Sequence, residues 1–159
     1  MLFFEHKGLY RIKGEVPEGD DHLVPFGQAA VVRAGRDLTV VATGLMVGRA
    51  LDAAAVLAAD GIELEVIDPR TLVPLDMETI VASVTRTSRA LVVHEAVRTA
   101  GAGAEIAAQI GEAAFFALDA PVWRLGALDT PLPQDPELEQ LCIPSTAEIE
   151  AAARELLRI

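Results

Sequence analysis

At 159 residues the chain fits a single domain, long enough to bury about 68–70% of the surface its unfolded form exposes. With 24 acidic against 13 basic residues its formal net charge is −11, which makes nucleic acid a poor partner because no basic patch can displace counterions from phosphates. The apolar content of 52% is rich in alanine, and no unbroken apolar run approaches the ~18 residues of a membrane-spanning helix.

Residues 1–24 differ from the rest and read as the remnant of a preceding domain followed by a linker. Leu2, Phe3 and Phe4 make a short, strand-like apolar start, followed at once by Glu5, His6 and Lys7. That opening has neither the basic region nor the apolar stretch of a signal peptide. Gly14, Pro17, Glu18, Gly19, Asp20 and Asp21 then give the composition of a linker. Residues 25–159 read as one domain. Leu38–Thr43 is a β-branched strand closed by Gly44, and Val47, Ala50, Leu51, Ala54, Leu57 and Ala58 recur at helical spacing behind it. Gly61 ends that helix and Ile62–Ile67 gives a second strand, with a further strand near Val31 at one edge. Asp76 caps a helix in which Ile80, Val81 and Val84 share a face.

Arg89–His94 is the third strand. Gly101 and Gly103 lead into a helix with Ile106, Ala107, Ile110, Ala114 and Phe116 or Ala117 inward. Val122–Leu125 is a weaker strand after Pro121. The segment Pro131–Pro144 holds four of the nine prolines and is expected to be irregular. Ser145 and Glu148 form a capping box, and Ile149, Ala152, Ala153 and Leu156 follow on one face. Alternating strands and helices imply right-handed crossovers: an α/β domain with a mostly parallel sheet of about five strands and helices on both faces. Strands apolar throughout agree with burial on two sides.

The chemistry-bearing residues are few. His94-Glu95 sits at an expected strand end, where ligands gather in open α/β sheets; a histidine beside a carboxylate can serve as general base or partner contact. The run Thr99–Ala104 approaches a phosphate-binding G-x-G-x-x-G, but Ile106 stands where the third glycine belongs. Close packing at a loop-to-helix turn accounts for both glycines without a ligand. Arg70 is expected to bridge an acidic neighbour and fix the loop after Pro69. Cys142 reads as a small buried residue, and a lone cysteine allows no intrachain disulfide, which fits a cytoplasmic or organelle-matrix location. No metal-ligand spacing and no catalytic residue is legible, so none is assigned.

Three stretches carry a resemblance: F-F-E-H-K-G-L-Y-R at Phe3–Arg11, V-I-D-P-R-T-L-V-P-L-D at Val66–Asp76, and V-V-H-E-A at Val92–Ala96. Together they resemble the beta subunit of the thiamine-diphosphate-dependent component of 2-oxo acid dehydrogenase complexes (pyruvate, branched-chain 2-oxo acid or acetoin). The likeness spans nearly the whole chain but only the C-terminal part of that subunit. It implies the fold of the transketolase C-terminal domain. It also implies that thiamine diphosphate and Mg²⁺ serve the intact enzyme while none is expected on this chain alone, since the cofactor-activating glutamate belongs to the subunit's N-terminal domain. By the same resemblance the domain serves assembly: a homodimer, an alpha subunit, and the subunit-binding domain of a dihydrolipoyl acyltransferase, received by acidic residues. Asp119 and the carboxylate at Ile159 are the partner-binding candidates, and Trp123-Arg124 departs from the family pattern. Two other readings stay open, a split subunit completing an active site in trans and a free-standing α/β ligand-binding or regulatory domain.

Overall fold

The computed structural model describes residues 2–15, 18–19 and 22–159; Pro17, Asp20 and Asp21 of the expected linker lie outside the described residues. Among the described residues five strands form one sheet: β1 (Ala30–Arg33), β2 (Leu38–Ala42), β3 (Leu64–Asp68), β4 (Ala90–Val97) and β5 (Trp123–Ala127). Their order is β1-β3-β2-β4-β5. All neighbours run parallel except β1, which closes one edge antiparallel to β3. Five α-helices accompany them: α1 (Leu45–Ala58), α2 (Met77–Thr87), α3 (Ala102–Ala113), α4 (Pro136–Cys142) and α5 (Thr146–Leu156).

The sheet is covered twice. Leu38, Val40, Ala42, Leu64, Val66, Leu91 and Val93 pack beneath α1 and α5, against Met46, Ala50, Leu57, Ile149 and Leu156. The alternate residues Val41, Ile67, Ala90 and Val92 face α2 and α3, meeting Ile80, Val84, Ile106 and Ile110. Side chains alternate faces along a strand, so double coverage is why β2 is buried at every position. Each large aliphatic side chain taken fully from water contributes roughly 1.5–3 kcal/mol. The one polar intrusion in β2 is satisfied: the Thr39 hydroxyl lies 2.6 Å from Ser83 Oγ and 2.7 Å from Thr87 Oγ1 on α2.

The expected caps form. Ser145 and Glu148 make the capping box of α5. Asp76 starts α2 by accepting the Thr79 N–H at 3.0 Å, and its other oxygen accepts the Ala29 N–H at 2.8 Å. Those bonds to the ionised form hold the Asp76 carboxyl below its ordinary pKa, the Ala29 bond first. One carboxylate thus ties the lead into β1 to the start of α2.

Several expectations need correction. The third strand does not end at His94: β4 runs to Val97, because Val97 regains a partner, Ala127 of β5, after a register shift. The Pro131–Pro144 stretch contains α4, since Asp135 caps the N–H groups of Glu137 and Leu138 and Pro136 occupies the first turn, where a missing N–H costs nothing. Phe116 is fully exposed, because α3 stops at Ala113 and a 3-10 turn over Phe115–Ala117 breaks the helical register. Leu2–Phe4 is not a strand and lies exposed, followed by a 3-10 turn at Lys7–Arg11. Arg70 makes no ion pair among the described residues. Its loop is fixed instead by Thr71, whose hydroxyl oxygen accepts the Gly27 N–H at 2.9 Å and donates to Pro74 O at 2.7 Å. Cys142 is half-buried rather than buried.

Candidate functional site at the carboxyl end of β4

His94 and Glu95 are neighbours on β4, so their side chains leave opposite faces. His94 points toward α3 and is 3% exposed. Three glycines leave the room its imidazole fills. A Cβ on Gly103 would stand 2.2 Å from its Cδ2 and 2.3 Å from its Nε2, one on Gly101 2.7 Å from Cε1, and one on Gly126 of β5 3.1 Å from Cε1. The Thr99–Ala104 glycines are therefore explained by histidine packing, without a nucleotide. Neither ring nitrogen has a hydrogen-bond partner among the described residues. Burial first, and the charge of Arg124 second, push the His94 pKa below its ordinary value, against a smaller opposing effect of the Ala96 backbone. His94 is an enclosed imidazole whose burial disfavours its charged form.

Glu95 looks the other way, toward the turn that opens α1, where a Cβ on Gly44 would lie 3.8 Å from its Oε2. Its Oε1 stands 3.0 Å from His6 Nε2, joining residues 89 apart in sequence. The His6 Nδ1 accepts the Gly8 N–H at 3.1 Å, so in the neutral ring Nε2 carries the proton and donates to Glu95. Both partners are partly open to solvent, with 34% and 26% of their side chains exposed. An imidazole oriented by a carboxylate is the arrangement of a proton-transfer pair. Nearby, Thr99 donates through its N–H at 3.2 Å and its hydroxyl at 2.6 Å to Asp129. The hydroxyl bond, then the N–H bond, lower the Asp129 pKa. A cavity of about 460 Å³ lies between Val97, Thr99 and Asp129–Pro131.

Asp119 and Ile159 lie toward the other end of the strands, where β4 begins. Asp119 leads toward β5, its side chain 62% exposed and its carboxylate 3.5 Å from Arg89. Arg89 also donates from Nε to Leu156 O at 3.3 Å, near the end of α5, so Asp119 and the segment reaching the exposed Ile159 share one anchor. Neither approaches Glu95. Sequence reasoning set His6 aside with the terminal segment, and its pairing with Glu95 is the contact it missed. Among the described residues no group of three or more His, Cys, Asp or Glu could hold a metal ion.

Comparison with known proteins agrees with this architecture. Residues 27–149 match the family described as "Transketolase, C-terminal domain". The acetoin:2,6-dichlorophenolindophenol oxidoreductase subunit beta of Cupriavidus necator is 49% identical over 158 residues, covering 99% of this chain and 46% of its own length. The 2-oxoisovalerate dehydrogenase subunit beta of Bacillus subtilis is 46% identical over 158 residues, covering 98% of this chain and 48% of its own. A solved structure titled "Split gene transketolase, inactive beta4 tetramer" superposes with a TM-score of 0.74 at 29% identity, over 90% of this chain and 47% of that one. The chain spans about half the length of the curated relatives it matches. The five-stranded, mostly parallel sheet and the match over residues 27–149 place the chain in one family, that of the transketolase C-terminal domain.

Proposed function

We propose that this chain is the C-terminal part of the beta subunit of a thiamine-diphosphate-dependent 2-oxo acid dehydrogenase, serving subunit assembly rather than the chemical step. The observation that carries the reading is the exposed apolar set in the segment that holds His6. Leu2, Phe3, Phe4, Tyr10 and Ile12 all stand 64–89% exposed there, and large apolar side chains left open so close together in sequence fit a partner. Identity of 46–49% to two beta subunits along nearly the whole chain supports it. In this reading the partners are a second copy, an alpha subunit and an acyltransferase, in the cytoplasm or an organelle matrix.

The residues at the carboxyl end of β4 do not fit a diphosphate with Mg²⁺. They offer two carboxylates, Glu95 engaged by His6 and Asp129 engaged by Thr99, and one imidazole, His94, that is enclosed. Titration of the pure chain with thiamine diphosphate and Mg²⁺ is expected to show no micromolar binding, and the chain no turnover of any 2-oxo acid. Micromolar binding would overturn the assembly role.

Asp119 is the proposed acidic contact for the acyltransferase's basic docking domain. Arg89 at 3.5 Å offsets part of its charge. Asp119→Lys is expected to weaken docking about tenfold at low salt, an effect that fades as salt is added. Unchanged affinity at low salt removes Asp119 from the contact.

A second reading is favoured by the solved relative, a split-gene transketolase described as an inactive tetramer of beta chains. On that reading the chain completes an active site in trans. Co-purification with a separate polypeptide, together with restored activity, distinguishes it.

A further inference from the structure

We infer that the amino edge of the sheet carries a binding site for a small phosphoryl-bearing anion. A cavity of about 570 Å³ opens there, beside the entries to β2, β3 and β4 and the last turn of α5. Arg36, Arg89, Arg154 and Arg158 line it, and Asp37 is the one carboxylate among the lining residues. The chain has only 13 basic residues and a net charge of −11, yet four cations from three separate segments converge on this space. Carboxylates outside the cavity pair Arg89 and Arg154, and the attraction for an anion falls to Arg36 and Arg158.

The arrangement is built, with two guanidinium groups held from behind. Arg89 is held by Leu156 O at 3.3 Å and Asp119 at 3.5 Å. Arg154 is held by Glu150 at 2.9 Å and Asp60 at 2.5 Å. Asp60, Asp119 and Glu150 lie outside the lining residues, so they orient these cations without filling the cavity. Asp37 has one oxygen on the Glu63 N–H at 2.7 Å. The other two arginines are uncommitted: Arg36 reaches only Asp37, at 3.9 Å, and Arg158 makes no ion pair among the described residues. Planar guanidinium forks match the oxygen geometry of a phosphoryl group in a way that lysines do not. The volume, in the range of small-molecule sites, leaves room for an organic group on the phosphoryl anion. Arg89 and Glu95 are six residues apart on an extended strand, about 20 Å, so this site and the His6–Glu95 pair occupy opposite ends of β4.

The test uses the intact chain, titrated with inorganic phosphate, pyrophosphate and glycerol phosphate against chloride at matched ionic strength, followed by calorimetry and melting temperature. Saturable binding of at least one phosphoryl anion is expected, with a melting temperature raised above the chloride control. Binding of inorganic phosphate identifies a free anion as sufficient; binding of glycerol phosphate alone identifies an ester. The double variant Arg36→Ser/Arg158→Ser is expected to lose affinity at least about tenfold while melting like the parent in chloride, because neither side chain anchors the fold. A shift equal to that in chloride, wild-type affinity in the double variant, or selective binding of a tricarboxylate such as citrate would each overturn the assignment.

Discussion

Replacing Gly35 with alanine is expected to destabilise the chain by about 3 kcal/mol, at the upper end of what overpacking costs. A Cβ at this position would stand 2.2 Å from the carbonyl carbon of Leu64, 2.3 Å from the Glu65 nitrogen and 2.4 Å from the Leu64 oxygen. These are backbone atoms of β3, a strand paired on both sides, so they have no rotamer through which to yield. Nor can the turn between β1 and β2 retreat. The Arg36 and Asp37 N–H groups both donate to Glu63 O at 3.0 Å, and the Gly35 N–H reaches Glu65 Oε2 at 3.4 Å. Moving the turn outward forfeits these bonds, at about 0.5–1.5 kcal/mol each. For a chain of this size the loss lowers the melting temperature by roughly 6–12 °C. Gly48 is the control: it lies on an exposed face of α1 with nothing within 4 Å of an added Cβ, so Gly48→Ala is expected to stabilise by about 0.5–1 kcal/mol. Urea denaturation of both variants checks the pair, and a Gly35→Ala variant within about 0.5 kcal/mol of the parent would refute the clash.

What was legible in the chain and what was not follows from the range of the forces involved. Leu38–Thr43 and Arg89–His94 announce β2 and β4 because strands covered on both faces lose the polar alternation that exposed strands keep. Asp76, Ser145 and Glu148 announce their helices because a cap is settled within three residues. The misses are of two kinds. Helix α4 was a local error: its Asp135-Pro136 start is a good helix signal, outweighed in the reading by four prolines in fourteen residues. The other misses are non-local. Residues past His94 join β4 because Val97 pairs with Ala127, a fact held in the partner strand. His6 meets Glu95 across 89 positions, and the four arginines of the amino edge come from the β1–β2 turn, the α2–β4 turn and α5. No periodicity in sequence records such meetings. The resemblance to beta subunits fared differently again, since it rests on motif identity and located the fold without locating these contacts.

The His94 cage gives the second large effect. Gly103→Ala puts a methyl group 2.2–2.3 Å from the imidazole and 3.3 Å from Val92 Cγ1. The ring is enclosed by Gly101 and Gly126 as well, so it cannot swing clear. The expected cost is about 2–3 kcal/mol. With His94 also replaced by alanine, the main obstacle is gone and only the 3.3 Å approach to Val92 Cγ1 remains, against a helix propensity that favours alanine over glycine by up to about 1 kcal/mol. The same glycine substitution therefore changes sign between the two backgrounds, a coupling of about 2–4 kcal/mol in a double-mutant cycle. His94 also gives the cage a pH signature. Its pKa in the fold is lowered, chiefly by burial, so between that value and the unfolded value of about 6.5 the unfolded chain binds the proton and the fold does not. The stability it contributes is whole above about pH 6.5 and declines as pH falls through that point. His94→Ala removes this slope, so its cost relative to the parent is expected to be smaller at about pH 5.5 than at about pH 7.5. A coupling below about 0.5 kcal/mol, within the scatter of independent sites, would mean that the glycines and the histidine do not constrain one another.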